Sequence, residues 1–111
     1  VYAVNLESKK VIWKQSLPIG IRDLAYDGKR KILYAANFVD GNIYGIDTSG
    51  VRPRRTGKIF AGRRIRFLSY EADRDSLLAA SANGVIEYRP EAGNKAMETA
   101  GGRRTKGNGS R

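Results

Sequence analysis

Apolar residues along this chain come in short runs with polar neighbours, and Gly, Asn and Asp clusters cut the runs at close intervals. Val1–Leu6 and Val11–Leu17 flank Glu7-Ser8-Lys9-Lys10 and predict the two strands of a hairpin. After a crossover at Leu17-Pro18-Ile19-Gly20, three more strands are predicted over Gly20–Tyr26, Lys31–Phe38 and Asn42–Asp47. The turns between them are Asp27-Gly28-Lys29-Arg30 and Asp40-Gly41-Asn42, rich in residues that tolerate tight backbone geometry. A fourth, more polar strand is expected within Val51–Phe60, at Gly57–Phe60 plus a few residues before it. Pro53 lacks a backbone donor and marks that strand as an edge. Arg64–Tyr70, Ser76–Ala82 and Gly84–Arg89 predict a further set, with Asn94–Ala100 a weak last strand. No segment of useful length has a 3.6-residue period, so the predicted class is all-β.

The pattern repeats. Ile21, Leu24, Tyr26, Leu33 and Ala36 return as Ile65, Leu68, Tyr70, Leu77 and Ala80, each 44 positions on. Past the second turn the offset is 42, so Tyr44 matches Ile86 and Ile46 matches Tyr88. A unit of roughly 40–50 residues built from short strands is the mark of a β-propeller blade, which cannot bury its faces alone. The expected organisation is a partial β-propeller over residues 1–100, made of blades of four antiparallel strands. Residues 1–17 form the outer half of one blade, 20–60 a full blade and 62–100 a second. A typical ring has about 4–8 blades, so this partial ring should expose an apolar face at its first strand pair and another after the second copy. Ala35-Ala36 and Ala79-Ala80 recur in mid-strand, where alanine is depleted, and should let neighbouring sheets approach closely.

Composition narrows the chemistry. The chain has 111 residues and neither cysteine nor histidine, so disulfides, thiolate metal sites and imidazole acid–base chemistry are excluded from it. No apolar run approaches the ~20 residues needed to span a bilayer. The chain opens on Val1 inside a predicted strand and is expected to be a piece of something longer. Its net charge of +10 is uneven. Gly50–Arg66 carries Arg52, Arg54, Arg55, Lys58, Arg63, Arg64 and Arg66 with no acidic residue, and Lys95, Arg103, Arg104, Lys106 and Arg111 follow near the end. Residues 101–111 have no apolar side chain and are expected to be a disordered basic tail. Basic surface attracts acidic partners, but a run of arginines on an edge strand also blunts sheet-to-sheet pairing.

The run Leu33-Tyr34-Ala35-Ala36-Asn37-Phe38-Val39-Asp40-Gly41-Asn42-Ile43-Tyr44-Gly45-Ile46-Asp47-Thr48 resembles the YVTN family of β-propeller repeats. Gly20–Asp27 resembles the opening of NHL-type and lactonase-type blades. Val1–Lys14, with Val1-Tyr2-Ala3-Val4-Asn5 before a turn and Val11-Ile12-Trp13 after it, is similar to a pyrroloquinoline-quinone-type repeat, though Glu7-Ser8-Lys9-Lys10 lacks the usual glycine. The resemblances cover about residues 1–90 and imply a propeller, with a bacterial, periplasmic or secreted setting. Each family includes both enzymes and plain scaffolds, so they imply no single activity.

In such a fold the first strand of each blade lines a central channel, and functional sites sit where the loops entering it meet those between the second and third strands. The candidates on that face are Arg22, Asp23, Asn37, Asp40, Arg64 and Arg66. Arg22 and Arg66 occupy the same place in the two copies, which points to an anion or an acidic partner. Asp23, Asn37 and Asp40 are oxygen donors suited to calcium, but two blades cannot complete its shell, and Asp-Gly-Asn is first a turn. No metal and no cofactor is therefore expected, and Trp13 is assigned to blade packing. Two classes stay open: a non-catalytic module binding a protein, peptide or small anion, and part of a lactonase-like or quinone-dependent enzyme whose catalytic residues lie elsewhere. Nucleic acid is a weaker third reading, lacking aromatics interleaved with the basic residues.

Overall fold

The computed structural model describes residues 1–90 and the pair Arg103–Arg104; the expected strand at Asn94–Ala100 and the rest of the tail lie outside the described residues. The chain is all-β, in three antiparallel sheets. A hairpin pairs β1 (Tyr2–Val4) with β2 (Val11–Lys14). The first four-stranded sheet runs in chain order through β3 (Ile21–Asp27), β4 (Ile32–Asn37), β5 (Asn42–Asp47) and β6 (Arg54–Phe60). The second takes β7 (Phe67–Glu71), β8 (Ser76–Ser81), β9 (Gly84–Tyr88) and β10 (Arg103–Arg104). Among the described residues no helix is long and apolar enough to cross a membrane.

Several boundaries differ from the sequence expectation: the first two strands stop at Val4 and Lys14 rather than Leu6 and Leu17. Arg64 takes a left-handed backbone, φ 58°, which ends any strand there, so β7 begins at Phe67 rather than Arg64. The fourth strand of the second sheet is Arg103–Arg104, inside the stretch expected to be disordered. It pairs Arg103 with Glu87 and Arg104 with Ile86.

The sequence repeat is also a repeat of register. Leu24 faces Ala35 and Tyr26 faces Leu33 in the first sheet, while Leu68 faces Ala79 and Tyr70 faces Leu77 in the second. The third strands follow suit, Tyr44 opposite Ala35 and Ile86 opposite Ala79. The hairpin repeats the outer half of the unit. Tyr2 faces Lys14 and Ala3 faces Trp13 before the register slips between Ala3 and Val4. Likewise Tyr44 faces Lys58 and Gly45 faces Gly57 before it slips between Gly45 and Ile46. A bulge kept at the same place in two copies is a feature of the unit.

One apolar cluster joins the two large sheets. The first sheet contributes Ala25, Tyr34, Ala36, Ile43 and Ile59, and the second contributes Leu68, Leu77, Ala79, Ile86 and Tyr88. Side chains alternate between faces along a strand, so the first sheet uses one face and the second sheet uses the other. Leu68 and Ala79 are the counterparts of Leu24 and Ala35, which point away from this core. The stacking is therefore head to tail, and each small residue, Ala36 or Ala79, sits where the sheets meet.

The crossovers between units are tied by one device used twice. Asn37 Nδ2 donates to the carbonyls of Pro18 and Ile19, both at 3.1 Å, and 44 residues on Ser81 Oγ donates to the carbonyl of Ala61 at 3.1 Å. Both crossovers carry a glycine with positive φ, Gly20 at 118° and Gly62 at 112°. A Cβ there would lie 2.6 Å from Asn37 Oδ1 or 2.5 Å from Ser81 Oγ, so only glycine fits.

Candidate binding edge at Arg22, Phe38 and Arg66

The starts of β3 and β7 lie side by side, and the β4–β5 turn comes up beside them. Phe38, just past the end of β4, organises this edge. Its N–H donates to the Gly20 carbonyl at 2.8 Å, and its own carbonyl accepts from the Arg64 N–H at 3.2 Å. The Arg22 guanidinium lies 4.9 Å from the centre of the Phe38 ring and that of Arg66 lies 5.6 Å from it. Both arginines are exposed, and among the described residues neither has a carboxylate partner. A ring face attracts a cation by about 0.5–1 kcal/mol at an exposed site. That is enough to orient the two side chains, and it leaves their N–H forks unspent.

The other candidates are placed differently. Asp23 bolts the two sheets together, its Oδ1 accepting from the Leu24 N–H at 3.0 Å and its Oδ2 from the Leu68 N–H at 2.9 Å. Asn37 is wholly buried, and its amide is filled: besides the two bonds to the crossover, Oδ1 accepts from the N–H groups of Val39 and Asp40 at 2.8 and 3.0 Å. With two donors and two acceptor positions occupied, it has nothing left for a ligand. Asp40 closes its own turn, Oδ1 accepting from the Asn42 N–H at 2.9 Å and Oδ2 from the Tyr44 hydroxyl. Burial, and then that bond to Asp40, pushes the Tyr44 hydroxyl pKa upward. Arg64 enters the edge through its backbone N–H. The oxygens considered for calcium are thus turned to backbone donors and a phenol, and among the described residues no three His, Cys, Asp or Glu side chains gather as a metal site needs.

Phe38 belongs to the face inferred from the sequence but was not among its candidate ligands. Its repeat counterpart is Ala82, so a comparison of the two copies passes over it. Two arginines of the basic stretch further along are engaged elsewhere. Arg54 pairs with Asp47 at 2.8 Å, and Arg55 lies 5.0 Å from the centre of the Tyr44 ring. Bonds from the Ser49 hydroxyl and N–H, then Arg54, hold the Asp47 carboxyl below its usual range. A shallow cleft of about 320 Å³ lies there, lined by Asp47, Ser49, Gly50, Arg52, Pro53 and Arg54.

Compared with known proteins, the chain matches no family model, no curated protein and no solved structure.

Proposed function

We propose that this chain is a run of β-propeller-type repeat units that works as a non-catalytic binding module. It takes an anionic group, from a protein, a peptide or a small molecule, on the edge where Arg22, Phe38 and Arg66 meet. The observation that carries this reading is the pair of guanidinium groups held over one ring with no carboxylate among the described residues against either. Two like charges brought together in a structure repel, and a bidentate anion set between them turns that repulsion into attraction. The repeated register, the head-to-tail stacking and the resemblance of Leu33–Thr48 to YVTN repeats support the propeller part. The absence of histidine and cysteine from the sequence favours binding over catalysis.

The test must separate a site from the general attraction of a +10 chain for anything acidic. An oligoglutamate peptide is titrated into the full chain at physiological salt, with anisotropy as the readout. The double variant Arg22→Ala/Arg66→Ala should weaken binding by tenfold or more. Arg52→Ala/Arg55→Ala removes the same charge from another edge and should change it little. Equal losses from both pairs would mean a diffuse field, and the edge would not be a site.

A further inference from the structure

Paired basic residues occur at four places within residues 1–90: Lys9–Lys10, Lys29-Arg30-Lys31, Arg54–Arg55 and Arg63–Arg64. The backbone sets one of them apart. Lys9, Lys31 and Arg64 each take a left-handed conformation, at φ 64°, 60° and 58°. Arg30 is further held by Asp27, Asp75 and the Pro90 carbonyl, and the Arg64 N–H is bonded to the Phe38 carbonyl. Arg54 and Arg55 instead open β6 as extended backbone, and both are exposed. Theirs is also the one pair of the four with a further basic residue two places before it, in Arg52-Pro53-Arg54-Arg55.

The surroundings leave this pair open to a cleft. β6 is an outer strand of its sheet, bonded to β5 on one side. Arginines and a proline are what an edge facing solvent carries. The preceding loop, 48–53, includes Val51 at 93% exposure. Directly after the pair the ladder breaks: Arg55 faces Ile46 and Gly57 faces Gly45, so Thr56 is the extra residue of the bulge. The holds on the two arginines are an exposed ion pair to Asp47 for Arg54 and the Tyr44 ring for Arg55. Contacts of both kinds are weak on an exposed edge.

We propose that the Arg55–Thr56 peptide bond is a processing site, cut by an endoprotease whose cleft has acidic pockets for Arg52, Arg54 and Arg55. Such a cleft takes its substrate as an added, extended strand, with backbone bonds for affinity and pockets for selectivity. Charges that turn away an ordinary strand match a cleft lined with carboxylates. Water adds across the bond, leaving a carboxylate on Arg55 and an amino group on Thr56. The cut divides the chain without dismantling it. Past the bulge β6 still pairs with β5 from Gly57 to Phe60, and Ile59 stays in the shared core. Arg30 on one side of the cut still reaches Asp75 on the other, and Asp23 still accepts from the Leu68 N–H. The proposal is independent of the anion reading, because it uses none of Arg22, Phe38 or Arg66.

The probe is a subtilisin-like endoprotease specific for paired basic residues, used in trace amount on the folded full chain at physiological salt, with intact mass as the readout. Within residues 1–90 the first cut should fall after Arg55, about tenfold or more faster than at any of the other three pairs. Short peptides spanning Lys9–Lys10 and Arg63–Arg64 should both be cut, which assigns their protection in the chain to the fold. The two fragments should elute together on size exclusion and separate only in urea. Arg52→Ala should slow the cut about tenfold, the worth of one charge-assisted contact. Lys9→Ala/Lys10→Ala should leave its rate unchanged. A first cut at another of the four pairs, a folded chain left whole while a peptide of residues 50–60 is cut, or fragments that part on cleavage would each overturn the proposal.

Discussion

The two ends of the stacked sheets handle arginine in opposite ways. At the ends of β3 and β7, Arg30 is surrounded by acceptors. It reaches Asp75 through two bonds of 2.6 and 2.7 Å, Asp27 at 2.8 Å and the Pro90 carbonyl at 3.0 Å. The Tyr70 hydroxyl donates to Asp75 as well, at 2.6 Å. At the beginnings of the same strands, Arg22 and Arg66 lie over a ring and, among the described residues, pair with no carboxylate. One end is a closed electrostatic joint between sheets, and the other presents guanidinium groups that no carboxylate among the described residues matches. A cation built into a framework is matched with carboxylates in the fold. The unmatched pair is the basis of the proposed anion site.

The joint shows its strength in the titration of its members. Hydrogen bonds from Arg30, then from Tyr70, hold the Asp75 carboxyl at about 2, well under its ordinary 3.8. The same contacts, Asp75 first and Asp27 second, raise the Arg30 guanidinium further above its usual range. Asp75 also raises the Tyr70 hydroxyl.

The largest expected effect falls on this end. Arg30→Met leaves Asp27, which is fully buried, without its cation and should cost about 3 kcal/mol, read from urea unfolding. Arg22→Ala/Arg66→Ala should cost no more than about 1–2 kcal/mol, since each exposed contact with the Phe38 ring is worth about 0.5–1 kcal/mol. A reversal of these two results would break the contrast between the ends. Acid sharpens it next. A carboxyl depressed in the folded state stabilises at pH above its unfolded value, and that contribution is lost as pH falls toward the folded value. The thermal midpoint should therefore drop as pH goes from about 4 to about 2, and Asp75→Asn should flatten that part of the curve.

Phe38→Leu comes third. It keeps an apolar body at the edge but removes the ring, and oligoglutamate affinity should fall roughly fivefold through loss of about 1 kcal/mol of cation–π positioning. Unchanged affinity would show that the arginines are placed by something other than Phe38. Smallest is Arg54→Ala. Its pair with Asp47 lies on an exposed edge, with the arginine side chain 71% exposed, and stability should change by less than about 0.5 kcal/mol.

Much of the fold was legible because it repeats. The period-two alternation and the change of offset from 44 to 42 marked strands and matching positions, and the sheets give the matched positions matching partners, Leu33 against Ile46 and Leu77 against Tyr88. A repeat, however, exposes only what the copies share. Asp23 corresponds to Phe67, Phe38 to Ala82 and Lys31 to Asp75, so the inter-sheet bolt, the ring and the carboxylate of the joint all fall where the copies differ. Lys31 and Asp75 nonetheless share a left-handed backbone, at φ 60° and 49°, so the turn repeats where its side chain does not. One readable signal was passed over. Asp27 with Arg30 returns as Glu71 with Arg74, at the same spacing. Arg74, with no further sheet among the described residues beside it, reaches only Glu87 at 3.8 Å.

By itself the sequence determined the all-β class and the recurrence of the strand pattern, because alternation and turn chemistry act over a few neighbouring residues and leave their mark there. It also placed Arg22 and Arg66 at matching points of two copies. Only the tertiary structure decided which face of each sheet turns inward, that Arg30 finds Asp75 45 positions away, and that both edge arginines converge on one phenyl ring. Those outcomes depend on how one sheet lies against the next. That relation is set by the shapes of whole faces, and no single stretch of chain contains it.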